Sequence, residues 1–151
     1  MRRNEVFDRG LLVVSDESTR PAAEDWPKLV WIVDVHEESK PVPISTCPLP
    51  LKKFAKRGGR FGAHNLHENR PAPGTWISEQ VIVGTFFNGG VRAFDLADPF
   101  HPVEVAHAVP PAPRKSRFKA IQLNDVFVDD RSVLFTVDRI IGGLYAYELK
   151  V

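Results

Sequence analysis

The chain has 151 residues, a formal net charge of +1, 43% hydrophobic and 26% charged residues, and one cysteine. Those numbers fit one domain of ordinary size with a buried core and do not fit a disordered chain. They exclude an internal disulfide framework and any global electrostatic attraction to nucleic acid or membrane.

No apolar run approaches the roughly 18 residues that a membrane helix needs. The first ten residues, MRRNEVFDRG, open with Arg2 and Arg3 but carry no apolar stretch behind them, unlike a signal peptide. As written, the chain reads as cytoplasmic, with a secreted or periplasmic location expected only if the N-terminus is truncated. Residues 1–10 receive no element.

From residue 11 onward, short runs rich in Val, Ile, Phe and Tyr are punctuated by Pro, Gly, Asn and Asp, the pattern of strands and turns. No segment combines a helical period with caps. The first unit (11–50) supplies strands at 11–15, 29–35 and 42–46. The second (62–110) supplies 63–68, 81–87, 91–96 and 103–108. The third (120–151) supplies 123–128, 133–137 and 144–149, and the chain stops where one more strand is due.

The units repeat. GGVRAFDL (89–96) aligns with GGLYAYEL (142–149), and VWIVDV (30–35) shares their alternation, with Asp34 matching Asp95 and Glu148. Upstream, LLVVSDE, VIVGTFFNGG and VLFTVDRIIGG correspond. HNLHEN (64–69) matches NDVFVD (124–129), which sets His64 opposite Asn124, Asn65 opposite Asp125 and His67 opposite Phe127. Spacings of roughly 50 to 70 residues between units point to a repeat architecture. Four short strands per unit, apolar enough for burial on both faces, describe a propeller blade with strands A to D running outward from the axis. The expected fold is therefore all-β: a partial β-propeller of two to three four-stranded antiparallel blades, part of a six- or seven-bladed ring.

VWIVDV, GGVRAFDLADPFHP and the pair HNL/NDV resemble the LVIVD-repeat family of β-propeller proteins. Repeats of that family run roughly as His-Asp-Val near the axis, a second strand, Gly-Leu-x-Ile-Val-Asp-Ile, then an Asp-Pro-x-x-Pro turn. The resemblance covers the chain from Leu11 onward and implies the propeller fold, but the family has no single activity to carry over. Full members have six or seven blades, so this chain departs from them in number. An open stack would leave two apolar faces and unpaired strand edges. The expectation is the C-terminal part of a longer propeller, or a unit that closes by homo-oligomerising.

RFGAHNLHEN (60–69) holds two histidines three apart. On a strand such positions point to opposite faces, so the pair does not chelate one ion unless a bulge intervenes. His67, matched to Phe127, reads as a packing histidine at a core position. His64 and Asn124 both open an innermost strand and are expected at the mouth of a central channel. Axial histidines from several blades can hold a divalent metal, which makes His64 a candidate ligand, although at least three ligands are required. Asn65 and Asp125 read as backbone ties. Asp16 and Asp138 offer acceptors at the same rim, while Asp34, Asp95 and Glu148 read as turn caps. Cys47 has no activating base beside it.

Charge placement supplies the other candidate. LKKFAKRGGR (51–60) and RKSRFK (114–119) hold nine of the twenty basic residues and no acidic one. Both connect a strand D to the next strand A, so adjacent blades would set them side by side near His64 and Asn124. Lys52, Lys53, Lys56, Arg57, Arg114 and Lys115 thus form a cationic rim for an anionic small molecule or protein. Phe54, Phe61 and Phe118 interleave with these residues as base-stacking rings do, but near-zero net charge speaks against nucleic acid. Three functions follow: a binding or scaffold module with a basic, polar rim; a metal-dependent hydrolase or oxidase with His64 as an axial ligand; or a truncated reading frame with no independent function.

Overall fold

The computed structural model describes residues 2–4 and 9–151, with side chains from residue 10. It is all-β: three antiparallel sheets follow one another along the chain, with one helical turn between them. The first sheet holds β1 (Arg2–Asn4), β2 (Arg9–Ser15), β3 (Val30–Asp34) and β4 (Val42–Thr46). After the turn α1 (Leu51–Phe54) come β5 (Val81–Thr85), β6 (Val91–Asp95) and β7 (Val103–Ala108) in the second sheet. The third holds β8 (Leu123–Val128), β9 (Val133–Asp138) and β10 (Leu144–Glu148). Each sheet is a meander in which neighbours in sequence are neighbours in space.

The second sheet has three strands where four were expected, the third has the three assigned to it, and the unassigned N-terminus supplies β1 to the first. The second sheet lacks a strand at 63–68, and the hydrogen bonds show why. His64 N donates to Thr85 O at 2.9 Å, while Thr85 N donates to Asn65 O at 2.9 Å. Two residues thus face one, which is a β-bulge. Beyond it one bridge, Leu66 to Gly84, and a bond from His67 N to Val83 O at 2.8 Å continue the pairing. The segment still lines the edge of β5, but its ladder is too broken to count as a strand.

That bulge recurs. In β8, Leu123 faces Asp138 and Asp125 faces Val137, so Asn124 is the skipped residue. A second irregularity also repeats: β3 slips against β4 between Ile32 and Val33, and β6 slips against β7 between Ala93 and Phe94. The sequence alignment makes these pairs equivalent, so the repeat extends to backbone irregularities that no side-chain pattern specifies. Asp34 and Asp95 each accept a bond from the backbone N–H two residues on, His36 at 2.8 Å and Ala97 at 2.7 Å, the turn-capping role of a short acidic side chain. Glu148, at the third equivalent position, pairs with Lys150 instead.

Two apolar clusters hold the sheets face to face. One joins Leu11, Val30 and Ile32 of the first sheet to Ile82 and Phe94 of the second, with Cys47 and Ala63 between them. The other joins Val83, Val91 and Ala93 to Leu123, Val126 and Leu134 of the third. The second sheet is therefore covered on both faces, and β5 and β6 are buried along nearly their whole length. The outward faces differ: Leu12 and Val14 are exposed on the first sheet, and Phe127, Val137 and Leu144 on the third. Phe127, expected in the core, is 45% exposed. Alternation fixes the parity of a strand, but which parity is covered depends on what packs against it.

Cys47 lies fully inside the first cluster, and burial pushes its thiol up to about 12. The native chain should therefore resist iodoacetamide at neutral pH and become labelled only on unfolding. Rapid stoichiometric labelling in native buffer would show the contact between the first two sheets to be open. No helix among the described residues is long and apolar enough to cross a membrane.

Candidate functional site

The two basic segments meet at one end of the stack, around the hairpin loop that joins β5 to β6. Phe87 in that loop adopts a left-handed conformation, φ 49°, which bulky residues rarely take. Asn88 beside it is fully buried, and its amide donates to Phe54 O at 3.1 Å and Gly58 O at 2.8 Å. One side chain thus pins the whole 51–60 segment. Gly58 has φ 103°, and a Cβ there would collide with the Phe118 carbonyl. The two basic segments are in direct contact at that point, and Arg60 N donates to Gln122 Oε1 at 2.8 Å just behind it.

Aromatic rings anchor this end from inside. Phe61 stacks between Trp26, at 5.7 Å, and Phe54, at 5.6 Å, and both phenylalanines are buried. They offer no face to a nucleobase, unlike the interleaved pattern they make in sequence. Phe118 is half-buried, with the Arg117 guanidinium 4.7 Å from its ring centre. The turn α1 exists because Phe54 must reach this stack. One turn, preceded by Pro50 and with no side-chain cap, is too short to show a helical period.

Lys52, Lys53, Lys56, Arg57, Arg114, Lys115, Arg117 and Lys119 are all exposed. Among the described residues none of the eight forms an ion pair with a carboxylate. Arg60 differs: it is half-buried, and its Nη1 lies 3.1 Å from Glu17 Oε1.

His64 sits at the edge of this surface, mostly buried, with its ring edge-on to Phe87 at 4.8 Å. Its Nδ1 is 2.5 Å from the Asn124 carbonyl, so that nitrogen carries the proton. Its Nε2 faces Glu17 Oε1 at 3.5 Å. Asn124 meets His64 through its backbone carbonyl, which also accepts from Thr85 Oγ1 at 3.1 Å. The Ser15 hydroxyl donates to the His64 carbonyl and not to its ring, so no serine–histidine relay forms. Among the described residues no group of three or more His, Cys, Asp or Glu is placed to hold a metal ion.

The matched residues of successive repeats bond to each other: His64 to Asn124, and Asn65 Nδ2 to Asp125 Oδ1 at 3.2 Å. His67 takes a separate place despite the bulge. Val128 N donates to its Nδ1 at 3.2 Å, and its Nε2 donates to Trp76 O at 2.9 Å, which ties the second sheet to the third. Asp138, expected at the rim, is buried and accepts from Gln122 N at 3.0 Å and Ile141 N at 2.9 Å. Asp16 is held by Lys28 at 2.8 Å.

Sequence reasoning missed two residues here. Glu17 pairs with Arg60 and faces His64 Nε2, and Arg139 lies with Arg60 at Phe87, each guanidinium 5.5 Å from its ring centre. Neither stands near His64 in the chain, so only the fold brings them in. Sequence reasoning also passed over Arg92. It is 2% exposed within β6, with Nη1 2.5 Å from Glu104 Oε2, and Glu104 Oε1 in turn is 2.8 Å from His107 Nδ1. A cleft of about 690 Å³ lies elsewhere, beside Asn65, His67, Asp125 and the outward residues Phe127 and Leu144. No family model matches the chain, and no curated protein or solved structure is significantly similar to it.

Proposed function

We propose that the chain is a set of propeller blades of the LVIVD-repeat type, acting as a binding module that offers a cationic surface to an anionic ligand or protein. The recurrence of the same bulges at equivalent positions supports a true structural repeat. The apolar outward faces, Leu12 and Val14 at one end and Phe127, Val137 and Leu144 at the other, support further blades or a second copy in the full assembly.

One observation carries the binding role: eight exposed basic residues with no carboxylate partner among the described residues lie on two segments that touch at Gly58 and Phe118. A solvated face that only keeps a protein soluble mixes both signs of charge. Here like charges are gathered and held, with Asn88 and the Phe54–Phe61 stack fixing the loop that bears them. Such a surface concentrates anions and steers their approach over about one Debye length.

Poly-L-glutamate is a suitable probe. Changing Lys52, Lys56, Arg114 and Lys115 together to Gln should weaken its binding by about tenfold at low ionic strength and flatten the dependence on salt. All four are exposed, so folding should be unaffected. Calorimetry over a salt series reads both effects. Equal affinity for the parent and the fourfold variant would reject the surface as a binding site.

A further inference from the structure

The repeat places Arg92 opposite Trp31 in the first unit and Tyr145 in the third, so the position is aromatic elsewhere and cationic only here. A buried arginine is therefore not something the repeat needs. Its strand neighbours define which way it points. Val91 and Ala93 belong to the cluster against the third sheet, while Phe94 belongs to the cluster against the first. Arg92 shares parity with Phe94, and its cross-strand partner is His107. Its side chain thus enters the seam between the first two sheets.

There it lines a cleft of about 390 Å³ together with Lys53, Phe54, Glu104, His107 and the 48–50 segment. The guanidinium lies 4.9 Å from the Phe54 ring centre, and Lys53 and Arg57 lie 5.4 and 5.1 Å from the same ring. Three cations therefore surround one aromatic ring, with one carboxylate, Glu104, among them. That carboxylate spends its second oxygen on His107, so it cannot fork onto Arg92. The result is specific: Nη1 is paired, while Nε and Nη2 are buried and have no hydrogen-bond partner among the described residues. Those two N–H groups form the side edge of the guanidinium, the pair of parallel donors that matches the two oxygens of a carboxylate or phosphate. Buried donors left unpaired in this way are uncommon in folded proteins.

We propose that this cleft is an oxyanion subsite, in which a phosphate or carboxylate group bridges the Nε/Nη2 edge of Arg92 to the ammonium of Lys53. Phe54 forms its lid, and α1 must shift slightly to admit the ligand, since the free edge of Arg92 is covered. The excess of Lys53, Arg57 and Arg92 over Glu104 favours a second negative charge. The proposal deepens the cationic-surface reading, because Lys53 and Arg57 belong to that surface, and it narrows the ligand to one bearing a terminal oxyanion.

The test follows the Arg92 Nε–H resonance by NMR in the full chain while inorganic phosphate, and separately acetate, is added. Chloride at matched ionic strength is the control. A saturable shift with phosphate alone assigns a phosphate-bearing ligand, and one with acetate alone assigns a carboxylate. Shifts of the Phe54 and Glu104 backbone amides, which line the same cleft, should accompany it and vanish in Arg92→Met, and the Arg92 Nε–H shift should require about threefold to tenfold more ligand in Lys53→Ala. Lys53 is exposed and outside the buried ion pair, so its variant decides the matter if Arg92→Met does not fold. No response beyond that of chloride, or unchanged affinity in Lys53→Ala, overturns the proposal. The fourfold rim variant keeps both Lys53 and Arg92. A phosphate response that survives where the parent shows no poly-L-glutamate binding would sink the surface and spare the subsite, and the reverse pattern would do the opposite.

Discussion

Phe61→Ala will lower the stability of the chain by about 3–5 kcal/mol, the usual cost of emptying a fully buried aromatic site. The ring is 0% exposed and stacked on both sides, at interplanar angles of 10° to Trp26 and 11° to Phe54. It also fills the space left by Gly89, where a Cβ would press into it. Its surroundings cannot close the gap cheaply, because Trp26 and Phe54 come from segments held by their own backbone bonds. Urea unfolding should show a lower midpoint with little change in slope. Loss of the stack also frees α1, so limited proteolysis within 51–60 should accelerate. A stability change below about 1 kcal/mol, the range of ordinary surface substitutions, would mean the stack does not carry this end of the fold.

The second large effect is expected at His67. His67→Leu keeps much of the volume but removes both ring nitrogens, leaving the Val128 N–H and the Trp76 carbonyl without their partner. The Val128 N–H is buried and the Trp76 carbonyl half-buried; stranding a buried backbone group costs about 1–3 kcal/mol, and a net loss of about 2–4 kcal/mol follows. The paired comparison is Asn65→Ala, which breaks the exposed bond to Asp125 and should cost less than about 1 kcal/mol. If both variants unfold at the same urea concentration as the parent, His67 does not tie the second sheet to the third.

Strand positions were legible because Val, Ile, Phe and Tyr alternate between Pro, Gly and Asp turns, and β4, β7 and β8 fall on the expected residues. What escaped were features governed by a partner. The 63–68 run has strand composition, yet the bulge opposite Thr85 breaks its ladder, and bulges leave no residue signature here. Phe127 looked like core because it is apolar, but it stays 45% exposed although the His67 ring meets it edge-on at 5.7 Å. His64 was legible as polar by position, and the basic segments were legible as a cluster. The contact between those segments depends on Gly58, whose role appears only once Phe118 stands against it. Arg92 alone left a readable trace: comparing the three repeats at that position would have singled out one cation among aromatics.

The bonds between matched residues of successive repeats carry a consequence for ancestry and engineering. His64 gives its proton to Asn124, and the Asn65 amide gives its own to Asp125. Donors stand on the earlier unit and acceptors on the later one, so the series has a reading direction. Units that look alike in sequence are therefore not interchangeable. Duplicating the third would set one Asp125 carboxylate against another, while moving it ahead of the second would reverse donor and acceptor between Asn65 and Asp125. A lengthened or shuffled array would have to be edited at these two positions first, before any apolar residue is touched.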